Sequence, residues 1–390
     1  MNIFRTKKIR ASPLPAQKTS SFGGEGGNEE AGRENGQVSS SLDSSPQIFN
    51  IRSSFPDGIP SQFTEESPLI VDNSILSDYQ TCSTRGIIKY HHNLSQNTDS
   101  HSLLIGSATH KALEFYFKGG SAKEALNIFK KLYYEFGSVL DPEDAFSWEN
   151  TEATFSSWLA GHSLESLPLI PLPSTIEGPL ITPLNPSLWG KRVLFLGLLD
   201  LIVRDKATND LAIMDNKTTA KRLDQSWVNQ FKTSSQLSGY IWLAQETKIH
   251  EKLDAKFPIS SAYINTIQFS RLPASNRNCK VHSVAYSICR GLHAVARLDG
   301  PFTRTPLQIS EWLDNARGMA LRWAREREEY GKLEDLRKIP KNGMFLYEAC
   351  KFCSFGDFCS GIIADPMRLP QFFRAKTWEP WNIEGGEIKE

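Results

Sequence analysis

The sequence predicts a mixed α/β core with helices on both faces of its sheet, in a chain of 390 residues. Three observations carry that prediction. Residues 74–160 hold a run of helical patterns, residues 175–215 switch to apolar strand patterns, and residues 225–328 alternate helices with further strands. Composition agrees: 39% of residues are apolar, 11% aromatic and 23% charged, an ordinary globular mixture with room for one large domain or two smaller ones. Lys+Arg and Asp+Glu are 44 each, which excludes holding nucleic acid through bulk positive charge but leaves room for a local basic groove. No apolar run approaches the ~18–20 residues that span a bilayer, and the charged residues 1–8 lead into no apolar stretch of a secretory signal. The 6 cysteines are too few for a disulfide scaffold, which points to a reducing, cytoplasmic setting.

Residues 1–65 read as a disordered low-complexity arm. Ser, Gly, Glu, Asn and Pro dominate 11–46 and bury too little apolar surface to offset the entropy of ordering. The folded domain is set at 66–363, with order beginning near Leu69. Ser74 is placed to cap a short helix along which Leu76, Tyr79 and Cys82 recur at helical spacing. A second helix spans 107–118, with Ala108, Ala112 and Phe115 on its apolar side and His110 and Glu114 one turn apart. Helical patterns follow at 121–136 and 148–160 and end in the Pro-rich 167–173. Strand patterns occupy 175–178, 191–203 and 211–215; the second is almost unbroken in its apolar character, as expected of a strand covered on both faces. Turn residues between Asp205 and Asp210 join the last two strands in a hairpin. A helix over 225–247, strands at 261–269 and 281–289 and a helix over 306–328 complete the core. Residues 364–390 form a tail whose aromatic stretch either packs back on the domain or docks a partner.

The hairpin gathers chemistry. With its turn centred between Ala207 and Thr208, Asp200 faces Asp215 across the ladder, where Cβ atoms sit ~4.5–5.5 Å apart and two carboxylates can share one hard cation. Lys217, two residues on, shares the face of Asp215. On residues alone the trio has two readings. One is a salt bridge at an exposed hairpin end; the other is a polar cleft in which a metal ion compensates charges that would be costly to bury. In the second, Mg²⁺ on the carboxylates keeps waters that can be polarised for attack on a phosphate, and the lysine orients such a water and favours its deprotonated form. The predicted chemistry is metal-assisted hydrolysis of a phosphodiester.

Gly197-Leu-Leu-Asp200, followed by Asp215-Asn-Lys217-Thr-Thr, resembles the core motif of the PD-(D/E)XK nuclease superfamily. More narrowly it resembles the RecB-like branch, which includes the AddB nuclease domain and the CRISPR-associated RecB-like exonucleases. Gly106-Ser-Ala-Thr-His110 resembles the helical motif whose histidine ligates the metal in that branch, and Glu177 stands where the family often has an active-site glutamate. Gln236-Leu-Ser-Gly-Tyr240 resembles its Gln-x-x-x-Tyr helix beside the active site and DNA. The segments follow the family's order over residues 69–363. The resemblance implies a restriction-endonuclease-like mixed central sheet flanked by helices, with a helical insert at 107–165. It implies Mg²⁺ or Mn²⁺ held by His110, Asp200 and Asp215, with the Asn216 carbonyl as a further ligand. Lys217 becomes the catalytic lysine, and Glu177, Gln236 and Tyr240 become site residues. The usual Pro-Asp is Leu199-Asp200 here. Apart from the resemblance, His110 reads as a helix-surface or core histidine, and Gln236 and Tyr240 as one polar edge of an ordinary helix.

Cys350, Cys353 and Cys359 form a Cys-x2-Cys-x5-Cys run interleaved with Phe and Gly, a spacing that favours metal binding over packing. A closed site needs a fourth ligand. The segment Leu76 to Arg85, around Cys82, resembles the first-cysteine segment of the iron–sulfur subgroup of the same branch, in which one N-terminal cysteine and a C-terminal triplet bind a [4Fe–4S] cluster. The resemblance thus implies a structural clamp of Cys82, Cys350, Cys353 and Cys359 that joins the two ends of the fold. A four-cysteine Zn²⁺ site fits the same spacing. Cys279 and Cys289 fall on strand patterns and read as packing residues rather than ligands. Arg317, Arg322, Arg325 and Arg327 with Trp323 present either a phosphate-contacting helix face or, given the interspersed Glu, a solvated one.

The predicted function is a metal-dependent DNA nuclease, an exonuclease acting on DNA ends or single strands in recombination, repair or mobile-element DNA processing. The chain carries no Gly-x-x-x-x-Gly-Lys-[Ser/Thr] phosphate loop, so any unwinding falls to a helicase or recombination partner. Two rivals stand beside this reading: a non-catalytic DNA-binding or scaffold protein that keeps the fold, and a phosphodiesterase acting on RNA.

Overall fold

The computed structural model describes residues 68–378, save for 98–99, 136–139, 176–177, 189–190, 273–276, 346 and 352. The arm expected at 1–65, Glu177 and the end of the tail fall outside the described residues. Along the chain come β1 (Leu69–Val71), α1 (Asn73–Thr81), α2 (His101–Phe117), α3 (Ala122–Glu135), α4 (Trp148–Gly161), β2 (Leu169–Pro171), β3 (Gly178–Leu188) and β4 (Lys191–Leu199). After these come β5 (Leu201–Asp205), β6 (Leu211–Thr219), α5 (Gln225–Lys232), α6 (Ser235–Glu246), β7 (Ser261–Gln268), β8 (Val295–Thr303) and α7 (Pro306–Glu329), besides shorter helical turns.

Five strands form a mixed sheet in the order β2-β5-β6-β7-β8, and three form a second sheet in the order β1-β4-β3. β5 and β6 are the expected hairpin: Leu201 pairs with Met214 and Arg204 with Leu211. That register, continued by one residue, sets Asp200 opposite Asp215. β6 and β7 run parallel, which demands a crossover, and α5 and α6 supply it. Period-two alternation then loads both faces of the larger sheet. Leu201, Val203, Ala212 and Met214 pack with α2, α3 and α4, while Ile202, Leu211 and Ile213 pack with α1, α6 and α7. Cover on both faces explains the absence of polar residues over Leu201–Val203 of β5 and the first half of β6. The predicted α/β architecture, a mixed sheet flanked by helices, is the one observed.

Local expectations change in several places. α1 is capped by Asp72 rather than Ser74: the carboxylate accepts from the Ile75 N–H at 2.7 Å, so the cap lies two residues earlier than expected. α2 begins at His101, capped by Ser100, well before residue 107. The apolar run 191–203 breaks at Asp200, so that β4 and β5 belong to different sheets. The helix expected over 225–247 is two helices, because Ser234 accepts from the Leu237 N–H at 3.3 Å and starts α6 afresh. Thr175 closes a short 3₁₀ turn instead of opening a strand. No strand forms over 281–289: Tyr286–Cys289 is a helical turn. Of the tail, Arg374–Ala375 pairs with Leu94–Ser95 and Trp378 lies edge-on to Tyr90, so its described part packs back on the domain. Among the described residues, no helix is long and apolar enough to cross a membrane.

Candidate active site

Asp200 occupies the break between β4 and β5, where the chain leaves one sheet and enters the other. Its Oδ2 accepts from the Asn216 N–H at 2.6 Å, and its Oδ1 lies 3.4 Å from His110 Nδ1 on α2. Across the hairpin, Lys217 Nζ lies 2.7 Å from Asp215 Oδ2 and donates to Gln236 Oε1 on α6 at 3.1 Å. Gln236 Nε2 in turn donates to the Tyr240 hydroxyl at 3.0 Å. Asp200 and Asp215 are 9% and 2% exposed, so the exposed hairpin-end reading of the trio does not hold. The structure brings His110, Asp200, Asp215, Lys217, Gln236 and Tyr240 into one neighbourhood; Glu177 lies outside the described residues.

The sequence builds this arrangement by simple means. β6 is apolar until Asp215 and polar beyond it, so alternation carries Lys217 out of the core on the same face. Asn216 points the other way, and its Oδ1 accepts from Asn265 Nδ2 on β7 at 2.7 Å. Asn265, the other half of that buried pair, lies outside the motifs read from the sequence, because the pair arises only when β6 and β7 are laid side by side. Gly197 on β4 lets α6 come close. A Cβ there would lie 2.8 Å from Leu243 Cδ2 and 3.1 Å from Tyr240 Cε1.

The two carboxyl groups are driven apart electrostatically. Burial and the neighbouring Asp200 charge push Asp215 above the usual carboxylate range, against the pull of Lys217. Burial acts on Asp200 in the same direction, but His110, Lys217 and the Asn216 N–H hold it below that range. Burial depresses Lys217, yet Asp215 and Asp200 more than restore it, so its net shift is upward and it stays an ammonium ion. Asp215 Oδ2 has no hydrogen-bond donor aligned on it, although Lys217 stands beside it. Two buried carboxylates, one of whose oxygens faces only Lys217, and a neighbouring imidazole make a donor set that fits an oxygen-seeking divalent cation.

A family model for the PD-(D/E)XK nuclease superfamily matches residues 73–360. The chain belongs to that superfamily. It is therefore a nuclease, and the superfamily's usual reliance on divalent metals agrees with the donor set above. No curated protein matches the chain. Among solved structures it is similar to that of SSO0001, with a TM-score of 0.30 and 11% identity over 79% of this chain and 90% of the other.

Away from the nuclease carboxylates, Cys82, Cys350, Cys353 and Cys359 line one cavity of about 330 Å³ together with Arg85 and Lys341. Cys82 ends α1, its N–H bonded to Asp78 O at 2.9 Å. Burial, then the charges of Cys82 and Cys353, push the Cys359 thiol up to about 11. Four thiols in such a place gain greatly from a bound metal, which deprotonates them. The arginine face of α7 is engaged by the nuclease itself: Arg317 donates to Leu184 O, Arg322 to Glu326 and Ser83, and Arg327 to His91. Cys279 and Cys289 are buried, as packing residues would be, but they lie on turns rather than strands. With His282 and His293 they form a group whose ligand atoms all lie within 4.8 Å of one another. Their spacing, Cys-x2-His-x6-Cys-x3-His, was a signal available in the sequence, hidden by the strand-like alternation of the residues between.

Proposed function

We propose that this nuclease is a RecB-like, metal-dependent deoxyribonuclease that acts as an exonuclease on DNA ends or single strands, in recombination, repair or mobile-element DNA processing. The observation that carries the reading is the bridging position of Lys217, between Asp215 and Gln236, on the face where Asp200 reaches His110. In this reading His110, Asp200 and Asp215 hold Mg²⁺ or Mn²⁺, the Asn216 carbonyl is a further ligand, and Glu177 is a further acidic group of the site. The bound ion supplies an activated water and neutralises charge on the phosphate. Lys217, kept as an ammonium by the two acids, holds that water and stabilises its deprotonated form; it does not itself accept the proton. Burial, aided by the charges of Asp215 and Asp200, pushes the Tyr240 hydroxyl far above its ordinary range. Tyr240 therefore stays neutral and accepts from the Gln236 amide, which turns the Gln236 carbonyl toward Lys217. A helicase or recombination protein would supply unwound substrate.

The same reading makes the four-cysteine cavity a [4Fe–4S] clamp. Lys341, which lines the same cavity, acts on Cys359 with a positive charge that offsets part of the negative charge of a thiolate cluster. Free thiols of this kind suit a reducing cytoplasm.

The deciding experiment incubates the protein with end-labelled linear duplex, single-stranded DNA, circular DNA and RNA, with Mg²⁺, Mn²⁺ or chelator, beside a Lys217→Ala control. Metal-dependent shortening of linear DNA from its ends, absent in the control, is expected. A Lys217→Ala protein as fast as the wild type defeats the mechanism, cleavage of RNA alone redirects the substrate, and DNA binding without cleavage by either protein supports a scaffold. Brown anaerobic protein with stoichiometric iron supports the clamp; colourless protein whose four-cysteine site holds zinc replaces the cluster.

A further inference from the structure

The connection between β7 and β8 gathers a group of side chains that neither the carboxylates nor the four-cysteine cavity uses. Asn278 and Ala285 form an isolated antiparallel bridge. The hairpin it closes is fixed by Cys279 N–H to Val284 O at 2.7 Å and Ser283 N–H to Cys279 O at 2.8 Å. Tyr286–Cys289 and Arg290–His293 continue as helical turns, so Cys289 and His293, four apart, share a face. Cys279 Sγ then lies 3.7 Å from His282 Nδ1 and 3.3 Å from His293 Nε2, and Cys289 Sγ lies 3.4 Å from the same nitrogen. The two imidazole rings meet edge to face, with centroids 4.7 Å apart.

We propose that Cys279, His282, Cys289 and His293 bind one structural zinc ion. Tetrahedral zinc with sulfur at about 2.3 Å and nitrogen at about 2.0–2.1 Å sets each sulfur–nitrogen edge at about 3.6 Å, close to the separations found. Four protein donors leave no position open for substrate water, which makes the site structural rather than catalytic. Two thiolates balance the ion's charge, as befits sulfurs on residues only 1% and 0% exposed. The Val281 N–H, 3.4 Å from Cys279 Sγ, donates to that thiolate.

The module also needs such an ion. Its apolar side chains Val281, Ile288 and Leu292 are 76%, 75% and 67% exposed, so burial cannot hold these turns together. What the turns support is a junction with the helical insert. Arg290 reaches from the module to Pro142 O and Asn150 Oδ1, and Gly291 lies against Ala153 O of α4. Zinc would thus fix the β7–β8 connection against α4, on chemistry independent of the nuclease reaction.

The test is a metal count on full-length protein purified without chelator, read with the zinc-edge X-ray absorption of the wild type. Cys289→Ser and His293→Ala proteins are each expected to lose one equivalent of zinc per chain while their iron content stays at the wild-type level. The wild-type zinc shell is expected to contain both sulfur and nitrogen, a readout that needs no variant to fold. Unchanged zinc in folded variants, a shell of sulfur alone, or wild-type protein that neither contains zinc nor takes it up from a zinc salt each overturns the proposal.

Discussion

The carboxylate pair and the cysteine quartet both gather like charges, and they are assembled by opposite means. Asp200 and Asp215 come from the two strands of one hairpin, so ladder hydrogen bonds set their separation whether or not a cation is bound. Cys82 ends a helix at the start of the domain and meets Cys350, Cys353 and Cys359 from its far end, carried on helical turns at Tyr347–Lys351 and Gly356–Ser360. These turns seat Phe355 and Phe358 in the core, but no ladder of hydrogen bonds sets the spacing of their thiols. The first cluster is pre-organised by secondary structure; in the proposed clamp the second would be organised by what its thiols bind. Changes in the first should therefore cost chemistry, and changes in the second should cost the fold.

The largest effect is expected from Asp215→Asn. Cleavage should fall at least about 10²-fold, the cost of removing one preorganised charged group from a site of this type. The melting temperature should hold or rise, since burial and Asp200 already disfavour that charge. A parallel loss of stability would show the carboxylates to be as structural as the thiols and end the contrast. Cys359→Ser is expected to do the reverse. It should lower the melting temperature by about 5–10 °C, a loss of roughly 2–4 kcal/mol, with cleavage falling only in step with the folded fraction. Calorimetry and a cleavage assay on the same samples separate the two. Gly197→Ala joins both logics, because a methyl group there meets Leu243 and Tyr240. Overpacking of this kind costs about 1–3 kcal/mol, and moving α6 should also slow cleavage by displacing Gln236 from Lys217.

The same contrast decides what the sequence could reveal. Asp200 opposite Asp215 follows from a symmetric turn, and both faces of the larger sheet follow from alternation, because these are local rules with fixed periods. The break at Asp200 is hidden, since apolar residues continue on either side while the strand changes sheets. β3 and β8 escape notice because Pro179, Pro183 and Pro301 argue against strands, yet both strands lie at sheet edges, where a missing N–H costs nothing in the ladder. The two halves of the 225–247 helix look continuous until Ser234 is seen to cap the second. Cys279 and Cys289 look like strand residues because Val281 to Cys289 alternates; the turn at Ser283, with φ at 59°, breaks that pattern in space but not in sequence.

The smallest effect concerns a third buried carboxyl. Asp72 caps α1, the helix that delivers Cys82. Burial raises its pKa from an ordinary 3.8 to about 6, against the Ile75 and Ser74 N–H groups that favour the charged form. Between those values the folded chain binds more protons than the unfolded one, so stability falls as pH rises from 3.8 to about 6 and levels off above. The sign is opposite to that of a salt-bridged carboxylate such as Asp200, whose lowered pKa makes stability fall as pH drops below the usual range. Asp72→Asn keeps an oxygen for the cap and removes the charge. Urea midpoints from pH 4 to 7 should then show a flatter profile and a gain of about 1–2 kcal/mol at pH 7. Asp215, raised in the same direction, is another carboxyl that produces such a slope, while His91 and His92, lowered by burial, slope the opposite way over much of the same range. The difference between the wild-type and Asp72→Asn profiles therefore isolates the cap: a difference that grows as pH rises toward 6 places the cost in the helix that holds the thiols, and parallel profiles place it outside that helix.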